Sequence, residues 1–383
     1  MNDNRGHSFM IQNDDRFNQM YVSHNKKNVL RGIHVSPYGK LLTVLTGKIV
    51  DYVINIDDLT FAKYELNPSE QVYIPPKHGH LFVSLEENTT LLYQFEGVYD
   101  KDKETSINYQ DPFINLELSS EEQYVMSEKD KLSEFLKPVD CVLFGSTGFL
   151  GSYTKNFLEE NNKNVVLINN RLHETSIIKN KLSLYKPNFV ICAAGISGKP
   201  TIEWCEENKY QTYKTNVVDI LNLVEICKDL GIYIIIYGSG GIYKGDGLRE
   251  YTETDKPNNC GQFYSRCRIM LEECLQHYDN VLYLRIQYPT TGDGHPKCFI
   301  TKMLSRIKTI HNVPINVTHM PTMLPVLMSL IDEKCVGTFN FVNPEYVFLP
   351  ELLKNYTNNL EIVETTDHSY YGLLDTTKLK TLI

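Results

Sequence analysis

The sequence predicts two domains of different fold class, an all-β domain followed by a doubly wound α/β domain. The chain has 383 residues, which is enough for two cores at roughly 100–200 residues each. Up to about residue 130, short apolar runs are separated by Gly, Pro and Asn, as in β proteins. From Val139 onward, apolar runs alternate with stretches of helical period, which is typical of α/β proteins.

The first half contains strand-like segments and no convincing helical period. The runs that we predict as strands are KLLTVLTGKIVDYVINI, FAKYEL, QVYIPP, LFVSL and TLLYQFEGVY. Short strands at this spacing are typical of a barrel or a sandwich. The polar segment 133–138 is predicted to be a linker, so that the first domain would cover 1–132 and the second 139–383.

The second half repeats the order of strand and then helix. Its predicted strands are VDCVLFG, VVLINN, NFVICAAG, IYIIIYGSG, VLYLRIQYP and TFNFVNP, and SYTKNFLEENN is an amphipathic helix between the first two. Strands that read as continuous apolar runs are buried on both faces. We therefore expect a parallel sheet that is covered by helices on both sides.

The composition narrows the class of partner and the compartment. The formal net charge of −9 argues against a nucleic acid or an anionic membrane as the main partner. No apolar run reaches the ~18 residues of a membrane span, and the N-terminus does not resemble a signal peptide. The nine cysteines are scattered along the second half, which suits a reducing compartment. We therefore expect a cytoplasmic protein with no membrane or nucleic-acid partner.

A glycine-rich turn follows the first strand of the second half. The segment GSTGFLG places Gly145, Gly148 and Gly151 between that strand and a helix. Such a turn presents free backbone N–H groups at the helix N-terminus to the pyrophosphate of a dinucleotide. The alternative is a strand–helix turn that binds no ligand. The predicted cofactor-binding residues in this region are these glycines together with Phe149, Leu150, Ala193, Ala194 and Gly195.

The end of the second strand bears on the choice of cofactor. An acid at this position would bind the adenosine ribose of NAD, but the residues here are Asn170 and Arg171. Arg171 suits a 2′-phosphate, so NADPH is predicted in preference to NADH. The alternative is a solvated surface arginine.

Three further residues are predicted to carry hydride chemistry. Ser239, at the end of a later strand, would orient a carbonyl group, and Tyr264 would donate a proton to its oxygen as hydride arrives. Arg268 lies four residues after Tyr264, on the same helical face, and would support the cofactor and the tyrosine. Tyr264 and Arg268 therefore count as both catalytic and cofactor-binding candidates.

With these residues assembled, the second half resembles the extended short-chain dehydrogenase/reductases, which have a Rossmann fold. It is most similar to the dTDP-4-dehydrorhamnose reductases and to the plant nucleotide-rhamnose epimerase/reductases, through GSTGFLG, AAGISGKPTIEWCE, TNVV, GQFYSR and CFITK. Two positions depart from these families. Arg268 replaces the lysine of their YxxxK motif, and Gly241 replaces a cysteine that is implied in epimerisation by the plant enzymes. Lys302 of FITK, which is also implied there, is retained as a substrate-binding candidate.

The first half resembles the dTDP-4-dehydrorhamnose 3,5-epimerases, which are cupin jelly rolls. The resemblance rests on RGIH, IPPKHGH, LLYQF and SEKD and covers nearly all of residues 1–130. It implies that His34 is the base and that Asp130 orients it. Tyr93 would return the proton from the opposite face, while Lys40 and His80 would stabilise an enolate oxygen.

The same resemblance implies residues that bind the nucleotide. Arg31 would hold the diphosphate, and Arg5 and Phe9 of DNRGHSF resemble the segment that binds the base in this family. Cupins also use histidine clusters for metals, and His34, His78 and His80 could act as ligands. The lysine and the tyrosine favour the metal-free interpretation, and no carboxylate lies near His78 or His80 in the sequence.

Together these features predict a fused 3,5-epimerase and 4-reductase. Its substrate would be a nucleotide-linked (UDP or dTDP) 4-keto-6-deoxyhexose, its cofactor NADPH, and its product an L-sugar of the rhamnose type. The resemblance also implies a homodimer through the cupin domain. Because Arg268 departs from the family, two alternatives remain open. The second half could be a non-catalytic NADP-binding domain, as in the regulatory subunit of methionine adenosyltransferase, or a purely structural domain.

Overall fold

The fold is that of a computed structural model, which describes residues 2–3, 6–7, 16–118, 123–198, 201–306, 309–354, 356–357, 361–363 and 372–382. The chain divides into two compact units, Met1–Pro138 and Val139–Ile383. The described residues of the first unit form strands and two helices of three and four residues, whereas the second unit is α/β, so the predicted change of fold class along the chain is confirmed. The predicted linker at 133–138 stays a prediction. No described helix is long and apolar enough to cross a membrane.

The first unit is built from eleven short strands. They are β1 (Asn2–Asp3), β2 (Gly6–His7), β3 (Phe17–Asn25), β4 (Leu30–Val35), β5 (Lys40–Thr46), β6 (Ile49–Asn55), β7 (Phe61–Leu66), β8 (Gln71–Ile74), β9 (His78–Ser84), β10 (Thr89–Glu96) and β11 (Thr105–Ser106). A 3₁₀ helix (Lys101–Lys103) precedes β11, and helix α1 (Glu128–Lys131) follows it.

Two large antiparallel sheets form most of the described part of this unit, and β1 and β2 pair separately as a two-stranded sheet. One large sheet has the strand order β3-β10-β5-β8 and the other β11-β4-β9-β6-β7. Leu42 and Leu91 of the first sheet share a buried cluster with Ile49 and Phe82 of the second. This packing of two faces explains the alternation of apolar residues along the strands, and it confirms the predicted sandwich.

A β-bulge in β4 fixes the direction of its polar side chains. Arg31 pairs with Phe82 and His34 with His80, so two residues of β4 between these pairs oppose one residue of β9. In a regular strand, residues three apart point to opposite faces. The extra residue brings Arg31 and His34 to the same face, as bulges commonly do beside functional sites.

The second unit contains the remaining strands and helices. The strands are β12 (Cys141–Phe144), β13 (Val165–Ile168), β14 (Phe189–Cys192), β15 (Tyr233–Tyr237), β16 (Glu250–Tyr251), β17 (Val281–Arg285), β18 (Thr309–His311), β19 (Pro314–Ile315), β20 (Gly337–Asn340), β21 (Val347–Phe348), β22 (Glu361–Val363) and β23 (Leu373–Leu374). The helices are α2 (Phe149–Glu160), α3 (Thr175–Tyr185), α4 (Trp204–Glu207), α5 (Lys209–Tyr213), α6 (Asp219–Asp229), α7 (Phe263–Leu275), α8 (Phe299–Arg306), α9 (Met320–Asp332), α10 (Leu349–Leu353) and α11 (Thr377–Lys380), with a π-helical segment at Lys214–Val218.

Six of these strands form a parallel sheet in the order β13-β12-β14-β15-β17-β20. Every residue of β12, β14 and β17 is buried, because both faces of the sheet are covered. This explains the continuous apolar runs in the sequence. The order reverses between β12 and β14, and a crevice that opens at such a switch point is where doubly wound folds bind ligands. Gly145 follows β12 and Ala193 follows β14, so both lie at this crevice.

Two candidate active sites

The first unit contains a cleft of about 260 Å³. Five residues that the sequence predicted as site residues line it: Arg31, His34, Lys40, His80 and Tyr93. His34 and His80 come from the five-stranded sheet, whereas Lys40 and Tyr93 come from the four-stranded sheet. The polar groups therefore converge on one cavity from both walls of the sandwich.

His34 and Asp130 form a hydrogen-bonded pair at this cleft. Nε2 of His34 lies 2.7 Å from Oδ1 of Asp130, and Asp130 is only 3% exposed. Asp130 is held in place because its backbone N–H bonds the hydroxyl of Ser127 at the start of α1. Burial alone would raise the pKa of Asp130, but the hydrogen bonds from His34 and Ser127 lower it overall. An ionised carboxylate only accepts hydrogen bonds, so Nε2 carries the proton and Nδ1 is free to act as a base.

Lys40 is a buried cation on the opposite wall. Lys40 is 4% exposed, and its Nζ lies 3.7 Å from Oε1 of Glu104. Nζ also lies 3.4 Å from the hydroxyl of Ser36, which in turn donates to Oε1 of Glu104 at 3.0 Å. Burial lowers the pKa of Lys40, and the negative charges of Glu104 and Asp51 oppose this effect.

His80 and Tyr93 are both buried beside this cation. Nε2 of His80 lies 2.7 Å from Oδ2 of Asp51, and burial lowers the pKa of His80 despite this partner. Burial also raises the pKa of Tyr93 well above its ordinary value. Tyr93 therefore keeps its proton at neutral pH and is available as a proton donor. Its ring stacks on Phe95 and meets His80 edge-on, which restricts its orientation.

Arg31 lies at the exposed side of the cleft. Its Nε donates to Oδ1 of Asn25 at 2.9 Å, which leaves the other guanidinium donors available to an anion. Arg5 and Phe9, the predicted base-binding residues, lie outside the described residues. Nδ1 of His78 lies near the carbonyl oxygen of Pro76. Within the described part of the chain, no group of three His, Cys, Asp or Glu side chains could hold a metal ion.

The second unit contains a larger cleft, of about 370 Å³, at the switch point of the sheet. The predicted residues that line it are Gly148, Phe149, Leu150, Ala193, Ala194, Gly195, Ser239, Tyr264, Arg268 and Lys302. The crevice thus contains the first turn of α2, the end of β14, the end of β15 and the start of α7. These elements carry the cofactor-binding and the hydride-transfer candidates to one place.

The glycine-rich turn has the close backbone contacts that this fold requires. Gly145 has φ +78°, and an added Cβ would lie 2.6 Å from the amide nitrogen of Ala194. At Gly151 an added Cβ would overlap the carbonyl oxygen of Gly145. Both positions therefore need glycine: Gly145 lets the turn approach the end of β14, and Gly151 lets α2 approach the turn. These features fit a dinucleotide pyrophosphate.

Tyr264 and Arg268 are joined on one face of α7. Nε of Arg268 donates to the hydroxyl of Tyr264 at 3.1 Å. Arg268 is 6% exposed, and its Nη1 has no hydrogen-bond partner among the residues that the structure describes. A buried guanidinium with an unsatisfied donor beside a crevice fits a ligand that offers hydroxyl or phosphate oxygens. The hydroxyl oxygen of Ser239 accepts the backbone N–H of Gly241 at 3.1 Å.

Asn170 and Arg171 lie at the end of β13 and do not line the described cleft. The side chain of Asn170 accepts from Lys181 at 2.9 Å, and the backbone N–H of Arg171 donates to Glu174. Arg171 is exposed. Their predicted role in cofactor choice stays a prediction.

Each unit of the chain matches a known protein family. Residues 3–137 match the model of the dTDP-4-dehydrorhamnose 3,5-epimerase family, and residues 141–319 match that of the NAD dependent epimerase/dehydratase family. The bifunctional dTDP-4-dehydrorhamnose 3,5-epimerase/dTDP-4-dehydrorhamnose reductase of Arabidopsis thaliana is 32% identical over 228 residues, which are 57% of this chain and 75% of that protein. The chain belongs to this epimerase/reductase family.

Other members and neighbours extend this result. A trifunctional UDP-glucose 4,6-dehydratase/UDP-4-keto-6-deoxy-D-glucose 3,5-epimerase/UDP-4-keto-L-rhamnose-reductase of Arabidopsis thaliana is 31% identical, and the match spans 57% of this chain but only 34% of that protein. The L780 UDP-rhamnose synthase of Acanthamoeba polyphaga mimivirus superposes with a TM-score of 0.58 at 29% identity, over 64% of this chain and 94% of that one. These findings confirm the predicted cupin and Rossmann classes, and the family that the second unit matches is described as NAD dependent.

Three polar residues of this epimerase/reductase were missed by sequence reasoning. Asp51 bonds Nε2 of His80. The sequence could have indicated Asp51, because it is an acid at a buried position of a mostly apolar strand. Asn216 holds the backbone of Ile196 by two hydrogen bonds of 2.8 Å, and it lies within the TNVV motif. Glu104 lines the epimerase cleft but occupies a polar segment with no motif that marks it.

Proposed function

We propose that this chain epimerises a nucleotide-linked 4-keto-6-deoxyhexose in its first unit and reduces the C4 ketone in its second. The observation that carries the proposal is the arrangement of the first cleft. The base candidate His34 belongs to one sheet and the acid candidate Tyr93 to the other. Inversion at carbon needs a base on one face and an acid on the opposite face. The two walls of the sandwich supply this pair.

The epimerase step follows from the acidity of carbon beside a ketone. The C–H bonds at C3 and C5 are acidic because the carbanion is delocalised onto O4. Nδ1 of His34 takes the proton, and Asp130 stabilises the imidazolium that forms. Nζ of Lys40 donates to the enolate oxygen. His80 joins it only in the doubly protonated form, because its Nε2 is bonded to Asp51. Tyr93 then returns a proton from the other wall, which inverts the carbon.

The reductase step uses the second crevice. A bound nicotinamide cofactor supplies the hydride that C4 receives. Tyr264 donates the proton to the oxygen, and Ser239 orients the carbonyl group. Arg268 supports the hydroxyl of Tyr264 through its Nε and offers the remaining donors to the cofactor. We propose NADPH as the preferred cofactor, because Arg171 is exposed just after β13 and positions 169–171 contain no acid that would bind the ribose of NAD, although Glu174 accepts the backbone N–H of Arg171.

The remaining parts of the proposal concern substrate, assembly and location. Arg31 would bind the diphosphate, and Arg5 and Phe9 the base, of a UDP- or dTDP-linked sugar. Lys302 lines the reductase crevice as a substrate-binding candidate. We also propose a homodimer formed through the cupin domain and a cytoplasmic location. The product would be a nucleotide-linked sugar of the L-rhamnose type.

A second candidate function gives the Rossmann domain a non-catalytic role in cofactor binding. It is favoured by one observation, the arginine at position 268 in place of the lysine of the family motif. Arginine is bulkier than lysine, but it keeps a hydrogen bond to the tyrosine hydroxyl.

NADPH oxidation with UDP- and dTDP-linked 4-keto-6-deoxyglucose separates these functions. The bifunctional proposal expects NADPH consumption and an L-configured product, identified by NMR. An epimerised 4-keto sugar that forms with no loss of NADPH would reject the reductase and support the second candidate. Absence of any epimerised species, with or without cofactor, would reject the epimerase.

A further inference from the structure

Glu104 joins two catalytic candidates of the epimerase cleft that lie on different sheets. Its Oε1 is 3.7 Å from Nζ of Lys40, and its Oε2 is 3.9 Å from Nδ1 of His34. We propose that Glu104 is a positioning residue of the epimerase, which keeps Lys40 charged and stabilises the imidazolium that forms on His34. This inference rests on the proposed epimerase function.

The position of Glu104 follows from the fold of the segment around it. Glu104 directly precedes β11, whose Ser106 pairs with His34 on β4. The side chain is thereby brought to the end of β4, where Ser36 donates to Oε1 at 3.0 Å. Only 9% of the carboxylate side chain is exposed. A carboxylate in such a place pays a desolvation cost, which is offset only where cations or donors surround it.

Lys40 faces charged groups from several elements. Asp51 on β6 and Glu104 before β11 are the acids that favour its charged form, and His80 on β9 lies beside it. Asp51 is already engaged by Nε2 of His80 at 2.7 Å. Within the described part of the chain, Glu104 is the one acid that forms an ion pair with Nζ below 4.0 Å. Loss of its charge would therefore lower the pKa of Lys40 further, in the same direction as burial.

The second effect of Glu104 concerns the base. Asp130 occupies Nε2 of His34, so the abstracted proton goes to Nδ1, the nitrogen that faces Glu104. When the C–H bond breaks, its electron pair moves into the enolate and onto O4, and the proton forms an Nδ1–H bond. The imidazolium then lies between Asp130 and Glu104, while Lys40 faces the new negative charge on O4. Tyr93 supplies the proton that reprotonates carbon, and solvent restores both side chains.

The test is solvent deuterium exchange at C3 and C5 without NADPH, measured against pH with the full chain. The variants are Glu104→Gln and the charge-conserving Glu104→Asp, with Glu96→Gln as a matched control. Glu96 is a carboxylate of the same domain that does not line the cleft. The glutamine keeps the backbone hydrogen bond of residue 104 to Lys101 and nearly the same shape.

We expect exchange by Glu104→Gln to fall at least about tenfold, with the alkaline limb of the profile displaced to lower pH. Glu104→Asp should restore part of the rate and the position of this limb, and Glu96→Gln should match the wild type. A wild-type profile for Glu104→Gln, or a lower rate with an unmoved alkaline limb, would overturn the inference. Wild-type chain that exchanges no deuterium would instead reject the proposed epimerase, which keeps the two failures apart.

Discussion

At the scale of single residues, the protonation of His34 decides what the epimerase cleft can do. The hydrogen bond between its Nε2 and Asp130 assigns the proton to Nε2 and leaves the lone pair on Nδ1. Without the negative charge of Asp130, the proton of neutral His34 would no longer be held on Nε2. The imidazolium form of His34 would also lose the carboxylate that stabilises it. We therefore propose that the pair acts as one catalytic unit, so that substitution of either member should lower the activity.

Asp130→Asn tests this unit. Asparagine keeps the shape of the side chain but has no charge, so deuterium exchange into the 4-keto sugar should fall by about 10²-fold or more. The measurement is NMR of the sugar in heavy water without NADPH. Asp102→Asn, a neutralised exposed acid of the same domain, is the matched control. Exchange at the wild-type rate in Asp130→Asn would show that His34 does not depend on this carboxylate.

Arg268 gives a second prediction at the residue scale. Arg268→Lys keeps a cation near Tyr264 and should retain NADPH oxidation, whereas Arg268→Met should lower its rate by about 10²-fold. Deuterium exchange should be unchanged in both variants, because the residues of the epimerase cleft all belong to the first unit. Arg266→Met, on the same helix but outside the crevice, is the control. NADPH oxidation that survives Arg268→Met at full rate would remove Arg268 from the reductase.

At the scale of elements, the bulge in β4 is the feature that builds the first site. It turns Arg31 and His34 to one face, and it depends on Gly32, which has φ +127°. An added Cβ at Gly32 would lie 2.4 Å from the carbonyl oxygen of His80. Glycine is required here both by the backbone conformation and by the close approach of β9.

Gly32→Ala should therefore lower the free energy of unfolding by about 1–3 kcal/mol and reduce deuterium exchange. Gly97→Ala is a matched control, because Gly97 also has a positive φ, of +99°, but an added Cβ would meet no atom within 4 Å. Denaturant unfolding and exchange rates measure the two effects. Equal losses in the two variants would mean that backbone strain, and not the contact with β9, accounts for the change.

The strands and the turn before α2 could be predicted from the sequence because each has a local signature. Buried strands of the parallel sheet are continuous apolar runs, and Gly151 is required by a contact with Gly145 in the same turn. The bulge could not be predicted, because it is defined by its pairing with a strand about fifty residues later in the chain. Glu104 was missed for a similar reason, since its partners lie on β4 and β5 and its own segment has no pattern.

At the scale of the whole molecule, one chain carries an isomerase cleft and a reductase crevice. The 4-keto group that makes C3 and C5 acidic is the group that the second site removes, so reduction fixes the configuration that the first site produces. The order of the two reactions follows from this chemistry, since the reduced sugar has no acidic C–H bond from which a base could take a proton.

Assembly is also a property of the whole molecule. Strand β3 is an edge strand, and its consecutive residues Met20, Tyr21 and Val22 are 59%, 55% and 45% exposed. An edge strand with exposed apolar side chains is a common pairing surface. Val22→Lys should therefore lower the molecular mass measured by sedimentation from that of a dimer to that of a monomer. Tyr64→Lys, on the edge strand β7 of the other sheet, should leave the measured mass unchanged. A wild-type chain that sediments as a monomer would contradict the proposed dimer.

The central claim, that the two reactions belong to two separate sets of residues, is tested by one labelling measurement. Wild-type chain, His34→Ala and Tyr264→Phe are each incubated with the 4-keto sugar and NADPH in heavy water. We predict that the Tyr264→Phe variant incorporates deuterium at the carbons beside the ketone but oxidises little NADPH. The His34→Ala variant should incorporate no deuterium. Deuterium incorporation by His34→Ala at the wild-type rate would contradict the account.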